Sequence, residues 1–139
     1  MSFPAVASLV PHRPPMLLID ALIEASDDRA VCAATPREGG CFVVDGVLPA
    51  EVFLEHMAQT VAALVGWRAA RHGGVARRGF LVGAMELVLY ADGARVGDAL
   101  TVEATRLAGD DEAGSFRCVM RRGGEALAEA TLSVMLEPA

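Results

Sequence analysis

Aromatic side chains are scarce in this chain: one Trp, one Tyr and five Phe make up 5% of 139 residues, whereas hydrophobic residues of every kind make up 53%. A core built mainly of rings is excluded, and aliphatic side chains, alanine and methionine must fill it instead. Cysteine is sparse too. Cys32, Cys41 and Cys118 are odd in number and show no C-x-x-C spacing, which suggests neither a disulfide framework nor a zinc site and fits reduced thiols. Lys and Arg total 12 against 18 Asp and Glu, a net charge of −6, and basic residues adjoin only at Arg77-Arg78 and Arg121-Arg122. Nucleic-acid binders gather positive charge on one face, so no nucleic-acid partner is expected. No apolar run reaches the ~20 residues of a membrane helix, and no basic region precedes an apolar stretch at the N-terminus. The expectation is a cytoplasmic, soluble protein with no membrane partner.

Repeats and low-complexity linkers are also missing, and single Gly and Pro residues punctuate the periodic segments, so residues 1–139 read as one domain. Three prolines between Pro11 and Pro15 exclude a helix interior and force an extended or turning lead-in. Met16 to Ala25 is apolar with Asp20 and Glu24 interspersed, and Ser26-Asp27-Asp28 supplies a turn before Arg29 to Thr35; the two segments read as a hairpin. Pro36 to Val47 holds Gly39, Gly40 and Gly46 with no sustained period and reads as a long loop. Further strands are expected over Gly79–Tyr90, Ala99–Ala108, Ser115–Arg122 and Glu125–Glu137, with Gly123-Gly124 as a tight hairpin turn. Alternation is strict in Phe116-Cys118-Met120 and in Ala126-Ala128-Ala130-Leu132-Val134-Leu136, as an antiparallel sheet with one buried face requires.

Between Glu51 and about Arg71 only Gly66 interrupts good helix formers, and apolar residues occur on every side of the helical wheel, as in a buried helix. Arg68 and Arg71 in its last turn suit the negative end of the macrodipole, and His72-Gly73-Gly74 suits a C-cap. One long helix and six antiparallel strands make an α+β domain. Glu55 and Gln59, four residues apart, share a stripe of that helix. A carboxylate on a buried helix is costly to leave unpaired, which points to a site, although carboxylates are also favoured in early helical turns for structural reasons.

Two stretches carry a resemblance. Pro11-His12-Arg13-Pro14-Pro15-Met16-Leu17-Leu18-Ile19-Asp20 and Leu48-Pro49-Ala50 through Phe53-Leu54-Glu55-His56-Met57-Ala58-Gln59 resemble, in order and separation, two motifs of the 3-hydroxyacyl-acyl-carrier-protein dehydratases, and more closely a branch associated with aryl-polyene pigments. Val96-Gly97-Asp98-Ala99-Leu100 is similar to a third stretch of that family. The resemblance implies a hot-dog fold, a long helix wrapped by a curled six-stranded sheet, and a homodimer or heterodimer with a close relative. It implies an acyl thioester, on a carrier protein or on CoA, held in a tunnel at the subunit interface. No cofactor and no metal are implied. A carrier protein is itself acidic, so its docking site would be a local basic patch, for which Arg68, Arg71, Arg77 and Arg78 are candidates.

In that family the helix carboxylate protonates the departing hydroxyl, and a histidine in a G-H-F-P-G stretch removes the proton beside the thioester carbonyl. The corresponding residues are Gly40-Cys41-Phe42-Val43-Val44, so Cys41 stands where the family has its base. A free thiol, with a pKa near ~8.5, is mostly protonated and weakly basic at neutral pH. Asp45 is a second candidate for that polar role, and Cys41 reads before that as a small buried hydrophobe in a loop. The catalytic candidates are therefore Glu55, Gln59 and Cys41. His12, Pro49, Ala50, Phe80, Leu81 and Gly83 are the candidates for binding substrate, His12 also as a backbone-bonded or catalytic group. Gly79 and Gly83 suit close approach of a ligand or chain, or a bulge. His56 projects about 100° away from Glu55 and reads as structural or interfacial. Three functions remain open: a dehydratase with a rearranged base, a thioesterase using Glu55, and a non-catalytic partner subunit of a complete dehydratase.

Overall fold

The unbroken run of helix formers does become one helix. In the computed structural model, which describes residues 2–74, 78–110 and 112–137, α1 spans Phe53–Arg71 after a 3-10 turn over Ala50–Val52. The strands are β1 (Ala21–Ala25), β2 (Arg29–Ala34), β3 (Val47–Pro49), β4 (Gly79–Leu89), β5 (Gly93–Arg95), β6 (Leu100–Gly109), β7 (Ala113–Arg122) and β8 (Glu125–Leu136). Six of them form an antiparallel sheet in the order β1-β2-β6-β7-β8-β4, and β3 pairs with β5 in a small second sheet. The six-stranded sheet wraps the helix in the expected hot-dog arrangement, with α1 against β2, β6 and β7 above all.

Burial follows the alternation read from the sequence. Leu100, Val102 and Ala104 of β6, Phe116, Cys118 and Met120 of β7, and Ala128, Ala130 and Leu132 of β8 are buried against Phe53, Met57, Val61 and Leu64 of α1. Small side chains let sheet and helix approach closely, which is how a core with few rings reaches full packing. Burial pushes the Cys32 thiol up to about 11 and the Cys118 thiol up to about 12, so both act as small hydrophobes. The helix ends on Gly73 at φ 73°, where Gly73 N–H donates to the Ala70 carbonyl at 3.2 Å and Gly74 N–H to the Ala69 carbonyl at 2.8 Å. That pairing satisfies carbonyls the last turn would leave open.

Two segments depart from expectation. The apolar run from Met16 predicts a strand that opens there, but β1 starts only at Ala21. The side chain of Gln59 takes the backbone of the missing part: its Oε1 accepts from the N–H of Leu18 at 2.8 Å and Ile19 at 3.4 Å, and its Nε2 donates to the Met16 carbonyl at 2.7 Å. Groups so engaged cannot join a sheet ladder. The loop from Pro36 ends in β3, which pairs with β5; neither is predicted from the sequence, because at three residues each the two carry no readable period. Asp98, of the Val96-Gly97-Asp98 motif, accepts from Arg95 N–H at 2.9 Å and Arg122 Nη1 at 3.0 Å. These bonds hold its carboxyl below the usual carboxylate range, the Arg95 backbone bond first among them.

Candidate active site

Glu55 stands in the first turn of α1, and Ala58, Ala62 and Val65 follow it at intervals of four or three on the same stripe. This stripe is half-buried, whereas Gln59, Ala63 and Gly66 beside it are buried. The strand facing the stripe is β4, which is not among the strands packed closely on α1. A cavity of about 570 Å³ fills the gap, walled by the helix stripe, by Gly79, Phe80 and Leu81 of β4, by Val134 and Leu136 of β8, and by residues 7–13. Glu55 is the single carboxylate among its described lining residues. A smaller cavity of about 200 Å³ shares Val65, Val134 and Leu136 with it and ends among Arg68, His72, Arg106 and Asp110.

The proline-rich lead-in forms the remaining wall because it lies directly on the helix. Val6, Leu9 and Val10 are buried, and a Cβ on Gly66 would run into the Leu9 carbonyl. Only glycine permits that approach. Phe3 packs edge-on against Trp67 at 6.4 Å between ring centres, holding the start of the segment. Arg13 folds its guanidinium back onto its own chain, Nη1 donating to the carbonyls of Val10 at 2.9 Å and His12 at 2.7 Å. So held, His12 projects into the cavity with Nε2 at 3.8 Å from Glu55 Oε1. That distance is beyond a hydrogen bond but puts the two groups side by side. Their side chains are 27% and 34% exposed, open enough for a ligand to reach both.

The structure thus brings Glu55, His12, Phe80 and Leu81 around one cavity. The other candidates lie elsewhere. Gln59 is fully buried and bonded on both ends of its amide, with Nε2 also donating to Glu55 Oε1 at 3.4 Å; the two side chains meet as their spacing on the helix suggests, but Gln59 turns inward, holds the lead-in and does not line the cavity. Cys41, in the loop before β3, is half-buried with Sγ 3.8 Å from Met16 Sδ and does not line the cavity, nor does Asp45. Pro49 pairs with Gly93 in the small sheet, and Ala50 is buried with its N–H on the Asp92 carbonyl at 2.9 Å. Gly83 sits on the exposed edge strand opposite Ser133, with open space where a Cβ would go. His56 is a core residue: burial lowers its pKa, and Nδ1 stands 3.1 Å from the Val52 carbonyl.

The basic patch expected from four arginines is divided. Arg71 pairs with Asp27 at 2.9 Å, Arg68 reaches the smaller cavity with a buried, unpartnered Nε, and Arg78 lies 5.7 Å over the Phe80 ring at the larger one. Arg77 lies outside the described residues. Sequence reasoning missed Arg13 and the alanines of the Glu55 stripe. It also passed over the one sign of the lead-in's position, Gly66 in an otherwise unbroken helix, where a costly glycine signals close backbone approach.

A family model described as ApeP-like, ApeP dehydratase, matches residues 4–139. The chain belongs to the ApeP-like dehydratase family. Among curated proteins, this ApeP-like chain is 33% identical over 145 residues to the 3-hydroxyacyl-[acyl-carrier-protein] dehydratase FabZ of Thermus thermophilus, covering 100% of this chain and 99% of that protein. The FabZ of Allorhizobium ampelinum is 31% identical, covering 94% and 86%. Among solved structures, the dehydratase heterocomplex ApeI:P from Xenorhabdus doucetiae contains a chain that superposes with a TM-score of 0.92 at 25% identity, covering 98% of this chain and 93% of that one. A hypothetical thioesterase with coenzyme A from Streptococcus pneumoniae shares the fold at a TM-score of 0.65 and 10% identity, covering 84% of each chain.

Proposed function

We propose that this ApeP-like chain dehydrates a 3-hydroxyacyl thioester carried by an acyl carrier protein or CoA, with Glu55 protonating the departing hydroxyl. The observation that carries this reading is a lone carboxylate opening onto a largely apolar cavity large enough for an acyl chain. Gln59 serves as a positioning residue, tying the lead-in and Glu55 to the same helix. The chain works as a dimer. β4 is an edge strand of eleven residues, and Phe80, Leu81, Val82, Met85, Leu87, Val88 and Leu89 along it are all more than 40% exposed. A long apolar edge of this kind calls for pairing with another strand, and β4 of a second hot-dog chain is the fitting occupant.

A second reading, a partner subunit that completes a related dehydratase, is favoured by Cys41 at the family's histidine position and by the likeness to a chain of the ApeI:P heterocomplex. One experiment separates the two. The purified protein is incubated with 3-hydroxyacyl and enoyl thioesters on carrier protein and on CoA, and dehydration, hydration and free acid are read by mass. Turnover by the chain alone, reduced by ~10²-fold or more in Glu55→Gln, supports the first reading. Turnover only with an added hot-dog dehydratase supports the second, and free acid without enoyl product overturns the dehydratase reading.

A further inference from the structure

We infer that His12 is the general base of this site, replacing the loop histidine whose position Cys41 occupies; the inference rests on the dehydratase reading above. Two histidines of the described structure make the contrast. His56 is buried in the core with a ring nitrogen on a backbone carbonyl, the ordinary state of a structural histidine. The His12 ring makes no hydrogen bond: its Nδ1 is buried without a partner, and its Nε2 stands 3.8 Å from Glu55 Oε1, an ion-pair distance only when the ring is protonated. A buried ring nitrogen without a partner is costly to hold, and the other nitrogen, Nε2, opens on the cavity beside Glu55, where a ligand would meet it. Its backbone is fixed by flanking prolines and by the Arg13 guanidinium, so the ring is held before substrate arrives. Cys41 does not line this cavity.

The spacing suits the chemistry. In a 3-hydroxyacyl thioester the acidic C2 proton and the C3 hydroxyl sit on adjacent carbons, so a syn elimination needs a base and an acid side by side. His12 and Glu55, 3.8 Å apart on one wall, are so placed. The imidazole takes the C2 proton, the C2–H electron pair becomes the C2–C3 double bond, and the C3–O bond breaks as Glu55 gives its proton to the hydroxyl, which leaves as water. The step ends with imidazolium beside carboxylate, and one proton passing from His12 to Glu55 restores the start. No oxidant, reductant or metal enters the balance.

The test separates proton removal from loss of water. A saturated acyl thioester has a C2 proton and no hydroxyl, so in deuterated water its C2 exchange requires the base alone. His12→Gln and His12→Ala are expected to lose both C2 exchange and dehydration by ~10²-fold or more, with imidazole in solution restoring part of the activity of His12→Ala. Glu55→Gln is expected to lose dehydration and keep exchange. Thermal melting of each variant shows whether it is folded, and rescue by imidazole is a response that a structural histidine would not give. Exchange retained in His12→Gln overturns the inference while leaving a dehydrating wild type intact, as does loss of exchange in Cys41→Ala alone. If the wild type neither dehydrates nor exchanges, with or without a partner subunit, the dehydratase reading fails and the inference with it.

Discussion

The two flanks of α1 are built differently. On one flank Phe53, Met57 and Leu64 meet β6, β7 and β8 through a layer of alanines and short aliphatic residues, with almost no exposed surface left. On the other, Glu55, Ala58, Ala62 and Val65 look across an open cavity at β4. The same helix thus anchors the fold with one stripe and lines the cavity with the other, Glu55 included. What separates the two stripes is how closely the facing strand comes and how large the side chains are, large on the packed flank and small on the open one. On the proposed function, chemistry sits where packing is withheld, so the open flank would contribute little to stability and the packed flank would have no direct part in the reaction.

That division can be broken or sharpened by substitution. Phe53→Ala removes a fully buried ring from the packed flank and is expected to cost about 3–5 kcal/mol in denaturant unfolding; a much smaller loss would mean the packed flank tolerates voids and the contrast is overstated. Gln59→Leu links the flanks, because it strands the Met16 carbonyl and the Leu18 and Ile19 N–H groups. A destabilisation of about 1–3 kcal/mol is expected, together with reduced turnover as His12 and Glu55 lose their common support. Ala62→Leu partly fills the cavity. Its melting behaviour should stay within about 0.5 kcal/mol of the parent while KM for long acyl thioesters rises, and an unchanged KM would show that the acyl chain runs elsewhere.

The smallest effect concerns pH and isolates the packed flank. Burial lowers the His56 pKa from its ordinary 6.5, opposed by the Val52 carbonyl, so the unfolded chain binds this proton more readily than the folded one. Stability is therefore full above about pH 6.5 and declines as pH falls below it. Urea unfolding at stepwise lower pH should show that decline, and His56→Gln should flatten it.

The sequence made some of this legible and hid the rest for physical reasons. The helix could be read because no residue but Gly66 interrupts its formers, and β7 and β8 because their alternation is local. Glu55 stood out as a carboxylate on a helix that had to be buried. Met16 to Asp20 misled because an apolar run says nothing of a distant Gln59 that claims the backbone. The meeting of His12 with Glu55 depends on contact between segments forty-three residues apart, made possible by Gly66, and no pattern within either segment encodes it. The motif that looks like the family's opening pointed to the right histidine for the wall of the cavity, while the gapless placement of Cys41 led to a loop outside it.

One property of β4 reaches further. Phe80 and Leu81 are at once part of the outermost strand of the sheet and part of the cavity wall. A strand docked on this edge would therefore also roof the chamber beside it, so that association and substrate enclosure would be one event and not two. On the proposed dimer, protein concentration would then act as a switch, because below the dissociation constant of the pair each chamber would stand open to water.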